Sequence, residues 1–165
     1  MRMSHQEHKK NAPDHVECAV ITVSDTRDVD SDVSGKMIRE MLMEEKHEIV
    51  GYEIAKDDAD DIRKTIESID AEAYILNGGT GISCRDGTPD VLEEIIDKRL
   101  PGFGEAFRRL SFEEIGSAAI LSRALAGVAD EKVYFSLPGS TAAVELAMKE
   151  LILPELGHIV FEVNK

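Results

Sequence analysis

The stretch NGGTGISCRDGTPD, residues 77–90, combines residue types that suit the binding of an anion. It contains four glycines, an arginine, two carboxylates and several hydroxyl groups, directly after the apolar run AYIL. Residues without a Cβ atom let backbone N–H groups approach a ligand closely, and such groups can surround an anion. The stretch therefore predicts a phosphate-binding loop, whose candidate residues are Gly78, Gly79, Thr80, Gly81 and Arg85.

Two carboxylates are candidates for chemistry at this loop. Asp86 lies within it, and Asp57 lies in the segment KDD that follows another apolar run. A carboxylate close to a phosphate repels it by roughly 4 kcal/mol per charge pair at an effective dielectric constant of 20. A cation must therefore compensate, and Mg²⁺ suits a site made of carboxylates and phosphates. We expect Asp57 and Asp86 to hold Mg²⁺, with Arg85 and Arg27 adding positive charge.

The glycine stretch differs from the common phosphate-binding motifs. A P-loop reads GxxxxGK[ST], and no segment of this chain supplies its lysine. A dinucleotide fingerprint reads GxGxxG, whereas Gly79, Gly81 and Cys84 give GxGxxC. A serine hydrolase is a poor fit because no serine lies in a GxSxG elbow. One alternative stays open at this point: the glycines only form a tight turn, and Asp86 caps a nearby backbone group.

The segments around these residues alternate between strand and helix patterns. Strands are indicated by the apolar, β-branched runs ECAVITVS, HEIVGYEIA, EAYIL and KVYFSL. Helices are indicated by apolar residues at helical spacing in SGKMIREMLMEEKH, ADDIRKTIESID and TPDVLEEIIDKRL. This alternation predicts an α/β fold, a three-layer α/β/α sandwich with a mostly parallel central sheet.

Several boundaries can be assigned from capping patterns. We predict Ser34 and Thr88 as N-caps of their helices, and Ser140 or Gly139 as the cap of a later one. The segment AAILSRALAG fits either helix or strand, and GHIVFEV predicts a late strand.

In open α/β sheets, ligands bind beyond the carboxyl ends of the strands, so we expect the polar clusters after four strands to meet at one edge. These clusters are Ser24 to Arg27, Asp57 and Asp58, Gly78 to Asp86, and Gly139 to Thr141.

Composition narrows the classes of function. A length of 165 residues fits one domain, and we predict a disordered tail at 1–15 and a single domain at 16–165. The net charge of −14 opposes binding to nucleic acid. No apolar run approaches the roughly 20 residues that span a membrane, and the polar start has no signal-peptide pattern, so we predict a cytoplasmic protein. Cys18 and Cys84 are predicted to be free thiols.

The motifs resemble a known family. GGTGISCRDGTPD is similar to the GGTG...RDxTPE/D signature of the MoaB and MogA proteins of molybdenum-cofactor biosynthesis. FGEAFRRLSFEEIGSAAILSRALAG and FSLPGSTAAV resemble the MoaB branch in particular. VSDTR and DVSG are similar to the family's first-strand and first-helix motifs. The likeness extends from Val16 to Val163.

The resemblance implies a molybdopterin adenylyltransferase with Mg²⁺ as cofactor and ATP as co-substrate. The family's two functional aspartates match Asp57 and Asp86, although Lys56 replaces a common proline, which leaves Asp58 as the alternative to Asp57. The presence of Arg85 with Asp86 favours an active enzyme. The residues expected to line the pocket for nucleotide or pterin are Ser24, Asp25, Gly139 and Ser140.

The resemblance also implies partners. Family members serve molybdenum or tungsten, and they form trimers or hexamers, so we expect a homo-oligomer that hands its product to a metal-insertion protein. The alternative is a non-catalytic protein that binds or delivers molybdopterin on the same fold. A third possibility is a scaffold whose role is association alone.

Overall fold

The computed structural model of this protein describes residues 12–165, which contain one mixed sheet of six strands. Its strands follow the order β2-β1-β3-β6-β5-β4 across the sheet. The bounds are β1 (Glu17–Val23), β2 (Glu48–Ala55), β3 (Ala73–Asn77), β4 (Lys98–Arg99), β5 (Leu125–Ala129) and β6 (Lys132–Leu137). β1, β2, β3 and β6 run parallel, whereas β5 is antiparallel to both β6 and β4. The prediction of a mostly parallel sheet is confirmed.

Helices cover both faces of this sheet. They are α1 (Val33–Glu44), α2 (Ala59–Glu67), α3 (Thr88–Ile95), α4 (Pro101–Ile115), α5 (Thr141–Ala147) and α6 (Leu156–Val163). One core lies under α1, α4, α5 and α6 and includes Phe107 and Phe135. The other lies under α2 and α3 and includes Ile62 and Leu92. The three-layer α/β/α sandwich is therefore confirmed, and the double coverage explains why all five residues of β3 are buried.

The predicted N-caps Ser34 and Thr88 are wrong, because their hydroxyl groups form hydrogen bonds with backbone oxygens of other segments. Asp32 caps α1 by accepting the N–H of Gly35 at 3.0 Å, while the Ser34 hydroxyl donates to the carbonyl oxygen of Gly139 at 2.7 Å. The N-cap of α3 is Gly87, and Thr88 is the first helical residue, with its hydroxyl donating to the oxygen of Gly78 at 2.9 Å. Both hydroxyl groups thus connect a helix to a loop that follows a strand, Ser34 to Gly139 after β6 and Thr88 to Gly78 after β3.

The predicted late strand GHIVFEV is also wrong, because this segment belongs to α6. Leu156 and Val160 are buried four residues apart, which is the spacing of a helical face. The segment AAILSRALAG, which fitted either helix or strand, contains parts of two elements: a 3₁₀ turn ends at Leu121, and β5 begins at Leu125. Ser140 is confirmed as the cap of α5, since its Oγ accepts the N–H of Ala143 at 3.3 Å.

The predicted tail is described only in part, since residues 1–11 lie outside the described residues. Pro13 lies against α6, where a Cβ atom on Gly157 would come within 2.3 Å of the Pro13 oxygen. The domain boundaries stay predictions. Both cysteines are free, as predicted, with Cys18 buried and Cys84 exposed. Within residues 12–165, no helix is long and apolar enough to cross a membrane.

Candidate functional site

The four parallel strands end at one edge of the sheet, and the four polar clusters meet there as predicted. We call this edge the rim and define it as residues 24–27, 56–58, 78–87 and 138–141. Arg27 Nη2 donates to the oxygen of Gly139 at 3.1 Å. A Cβ atom on Gly139 would lie 3.3 Å from the Cα atom of Gly78. The ends of β1, β3 and β6 are therefore in direct contact.

The glycine loop, residues 78–87, needs glycine at its start. Gly78 and Gly79 have φ angles of +99° and +64°, which residues with a Cβ atom rarely adopt. A Cβ atom on Gly78 would lie 2.2 Å from the carbonyl oxygen of Val23. The N–H of Gly78 donates to the oxygen of Leu137 at 2.9 Å. Gly78 therefore fits between β1 and β6 only because it has no side chain.

Two backbone N–H groups of the glycine loop have no partner among residues 12–165. Among residues 12–165, no acceptor pairs with the N–H groups of Gly79 and Thr80. Free N–H groups on a turn with positive φ form the kind of concavity that binds anions. The predicted phosphate-binding role of Gly79 and Thr80 therefore has suitable donors in place.

Asp57 and Asp58 have different hydrogen-bond partners. Asp58 Oδ1 accepts the N–H groups of Asp60 and Asp61, each at 3.1 Å, so this carboxylate caps α2. Asp57 Oδ1 instead accepts the N–H of Gly87 at 3.2 Å. Its carboxylate therefore faces the glycine loop, and Asp57 is the better candidate for chemistry.

Asp86 lies on the same loop in a different environment. Its Oδ2 accepts the N–H of Ser83 at 2.9 Å. Hydrogen bonds from Ser83 lower the pKa of the Asp86 carboxyl. Burial raises the pKa of Asp57, and the negative charges of Asp86 and Asp25 raise it further. Asp86 therefore holds its negative charge more firmly than Asp57 does.

Asp57 and Asp86 are the predicted ligands of a Mg²⁺ ion. Within residues 12–165, no group of three or more His, Cys, Asp or Glu side chains could hold a metal ion. Mg²⁺ commonly uses one or two carboxylates and completes its shell with substrate phosphates and water. A Mg²⁺ ion at Asp57 and Asp86 would need further ligands, such as phosphate oxygens and water, and its binding stays a prediction.

Arg85 and Asp25 connect the glycine loop to the other rim segments. Arg85 Nη2 lies 2.6 Å from Asp25 Oδ2, and Asp25 Oδ1 accepts the N–H of Asp57 at 3.2 Å. Asp25 therefore bridges the loops that follow β2 and β3. The structure places Arg85 at the rim as predicted, with its charge already paired.

The remaining predicted residues also lie at the rim. Ser24 Oγ accepts the N–H of Arg27 at 3.1 Å, and both Ser24 and Asp25 line a cavity of about 370 Å³ beside the rim. Ser140 caps α5. Gly81 lies next to Asp86, since a Cβ atom on Gly81 would come within 2.7 Å of Asp86 Oδ2. All the predicted site residues are thus brought together, and their roles stay predictions.

Sequence reasoning missed a buried carboxylate behind the rim. Asp32, whose side chain is fully buried, accepts the hydroxyl groups of Thr22 at 2.5 Å and Tyr52 at 2.7 Å. Its Oδ1 lies 3.6 Å from Arg27 Nη1. Burial and the hydrogen bond to Asp32 raise the pKa of Tyr52 to about 12, so this phenol remains a donor at neutral pH. The contact between Asp32 and Arg27 holds Arg27 at the rim. In the sequence, only the motif DVSG pointed to Asp32.

Arg123 is the second residue that sequence reasoning missed. Its Nε donates to the oxygen of Gly81 at 2.9 Å, and its Nη2 donates to the oxygen of Asp86. Its Nη1 contacts both carboxylate oxygens of Asp90, at 2.9 and 3.0 Å. One guanidinium therefore holds both ends of the segment between Gly81 and Asp86.

The family model described as a probable molybdopterin binding domain matches residues 19–158. This chain belongs to that family. The matched span includes every rim segment, so the glycine loop and both aspartates are part of the molybdopterin-binding domain and not of an added segment.

Relatives agree with this assignment. Molybdenum cofactor biosynthesis protein B of Bacillus subtilis is 52% identical over 168 residues, which cover 99% of each chain. A crystal structure of a molybdenum cofactor biosynthesis protein B is 47% identical with a TM-score of 0.89, covering 93% of this chain and 99% of that one. The tungsten cofactor synthesizing protein MoaB from Pyrococcus furiosus is 38% identical with a TM-score of 0.81, covering 93% of this chain and all of that one, 100%. The resemblance of this domain to the MoaB branch is therefore confirmed.

Proposed function

We propose that this chain acts in the biosynthesis of a molybdenum or tungsten cofactor by adenylylating molybdopterin. In this reaction the terminal phosphate of molybdopterin attacks the α-phosphorus of Mg·ATP. The bond from the α-phosphorus to the bridging oxygen breaks, which gives adenylyl-molybdopterin and pyrophosphate. The observation that carries the proposal is the placement of Asp57 against the glycine loop that contains Asp86 and has unpaired N–H groups.

The rim suits this chemistry because it supplies positioning and charge, and the reaction requires little else. A phosphate nucleophile is already ionised at neutral pH, so no strong general base is needed. The rim segments contain no histidine. Asp57 and Asp86 would hold the Mg²⁺ ion that neutralises the phosphates, and the N–H groups of Gly79 and Thr80 would hold a phosphate oxygen. Ser24, Asp25 and the cavity beside them would accept the nucleotide or the pterin.

Arg85 would gain a second partner when phosphates bind. Its ion pair with Asp25 is exposed to solvent, with 66% of the arginine side chain accessible. Exposed pairs contribute only about 0–1 kcal/mol. An incoming phosphate can therefore recruit Arg85 at little cost, and the released Asp25 still accepts the N–H of Asp57.

Incubation of the protein with molybdopterin, ATP and Mg²⁺ tests the proposal directly. We expect pyrophosphate and adenylyl-molybdopterin to accumulate together, and omission of Mg²⁺ to abolish both. The alternative, a non-catalytic protein that binds or delivers molybdopterin, predicts pterin binding that calorimetry finds unchanged by ATP, with no pyrophosphate released. If the protein binds neither molybdopterin nor ATP, the remaining possibility is a scaffold whose role is association with other chains.

We also propose that the protein is a homo-oligomer, a trimer or a hexamer. An apolar patch supports this: Phe112 and Ile115 of α4 are 57% and 60% exposed, and Ile120 and Leu121 of the following turn are 75% and 51% exposed. Exposed apolar clusters of this kind mark protein interfaces. We expect Ile120→Glu to reduce the mass measured by light scattering, because burying a charge opposes association.

A matched control separates this patch from apolar surface in general. Met43 of α1 is 55% exposed, and Met43→Glu is expected to leave the mass unchanged. A wild-type mass equal to one chain would contradict the oligomer. The cytoplasmic location and the hand-over to a metal-insertion protein stay predictions.

A further inference from the structure

We infer that Arg123 is a positioning residue that sets the geometry of both Asp57 and Asp86 through the peptide planes of the glycine loop. The inference rests on the proposed function of the rim. It is carried by three backbone carbonyl groups of the loop, those of Thr80, Gly81 and Asp86, all of which are bound by Arg123.

The first connection leads to Asp86. The backbone N–H of Arg123 donates to the oxygen of Thr80 at 3.1 Å. In a trans peptide the C=O and the following N–H point in opposite directions. Holding the Thr80 oxygen towards Arg123 therefore aims the N–H of Gly81 away from it. Asp86 Oδ2 lies 2.7 Å from the Cβ position of Gly81, and a hydrogen bond from the Gly81 N–H contributes to the lowered pKa of Asp86. The backbone of Arg123 thus presents a donor to the Asp86 carboxylate, and Arg123→Lys keeps this contact. The contacts that the variant changes are those of the side chain with the oxygens of Gly81 and Asp86.

The second connection leads to Asp57. Arg123 Nη2 binds the oxygen of Asp86, and the N–H of the same peptide plane belongs to Gly87. That N–H donates to Asp57 Oδ1 at 3.2 Å. The peptide between Asp86 and Gly87 is therefore held by Arg123 on one side and presented to Asp57 on the other. Rotation of this plane would release both contacts at once.

Arg123 acts on the loop and not on a ligand, because each of its three side-chain nitrogens already has a partner. Nε, Nη1 and Nη2 each have a partner within the protein. A planar guanidinium binds several acceptors in a fixed arrangement, which the single ammonium of lysine cannot reproduce. The conservative change Arg123→Lys therefore distinguishes positioning from a simple need for positive charge.

The test compares Arg123→Lys with two controls in the adenylylation assay. We expect Arg123→Lys to lower kcat at least about tenfold, since misplacing catalytic groups by roughly 1 Å can cost about 10²-fold. We also expect the Mg²⁺ concentration for half-maximal rate to rise, which a partly unfolded but otherwise normal enzyme would not show. Asp90→Asn keeps the carbonyl contacts of Arg123, and Arg109→Lys changes an exposed arginine of α4. Both are expected to stay within about threefold of wild type.

A second readout does not depend on activity. In hydrogen exchange, the peptide that covers residues 78–87 should exchange faster in Arg123→Lys than in wild type, while peptides from β3 and β6 should not change. Wild-type kcat, Mg²⁺ dependence and loop exchange in Arg123→Lys would together overturn the inference. If wild type releases no pyrophosphate, the proposed function fails, and the exchange of residues 78–87 alone decides whether Arg123 positions the loop.

Discussion

Replacing Asp86 with asparagine is expected to lower the turnover of adenylyl transfer at least about 10²-fold, the scale of losing one preorganised electrostatic group. Asparagine has nearly the same shape and keeps an oxygen that can accept the N–H of Ser83, so the loop should keep its conformation. Only the negative charge that would hold Mg²⁺ is lost. Steady-state kinetics measure the turnover, and calorimetry should find pterin binding unchanged.

Asp58→Asn is the matched control, because it removes the same charge from the same rim. Asparagine caps a helix as well as aspartate does, so the bonds to the N–H groups of Asp60 and Asp61 should persist. We expect turnover within a few-fold of wild type. Near-normal turnover in Asp86→Asn would remove Asp86 from the mechanism, and equal losses in both variants would indicate a general effect of rim charge.

The largest loss of stability is expected for Gly78→Ala. The new Cβ atom would lie 2.2 Å from the oxygen of Val23, at a φ of +99°. Backbone strain of this kind costs about 1–3 kcal/mol, and forcing atoms into a packed site costs about 1–3 kcal/mol more. We expect the free energy of unfolding to fall by about 3 kcal/mol. For a chain of this size, that loss lowers the melting temperature by about 6–12 °C.

Gly87→Ala is the control within the same loop. Its Cβ atom would have no heavy atom closer than 3.8 Å, and the second contact lies at 4.0 Å. The N–H that Gly87 donates to Asp57 is retained in alanine. Chemical denaturation should find the stability of Gly87→Ala within about 1 kcal/mol of wild type. A Gly78→Ala protein as stable as Gly87→Ala would mean that the contact between β1 and the glycine loop is not tight in solution.

Much of the fold and the rim could be predicted from the sequence because the signals are local. The buried strands are short apolar runs, and the polar residues that follow them fall at the carboxyl ends of parallel strands. The α6 segment was predicted as a strand because GHIVFEV is short and rich in β-branched residues. Short apolar runs of this kind fit both the helical and the strand period until the segments that pack against them are known. The burial of Leu156 and Val160 shows the helical period only in the folded chain.

Other features depend on contacts between distant segments. Ser34 was a reasonable cap by type, but its hydroxyl binds Gly139, which is 105 residues away. The partners of Asp57 and Asp58 separate their roles, although the two residues look alike in sequence. Arg123 contacts Gly81 across 42 residues, and no local motif marks this pair. Side chains that organise a site from outside its motif are therefore the part that sequence reasoning misses.

The buried carboxylate of Asp32 determines how freely Arg27 can respond to a ligand. Arg27 is its longest contact, at 3.6 Å. Three other donors reach Asp32 at 3.0 Å or less: the hydroxyl groups of Thr22 and Tyr52 and the N–H of Gly35. If Arg27 turns towards a phosphate, the carboxylate loses its ion pair with Arg27 but keeps these three hydrogen bonds. The rim therefore contains a cation whose resting partner keeps its hydrogen-bond donors when the cation turns towards a ligand.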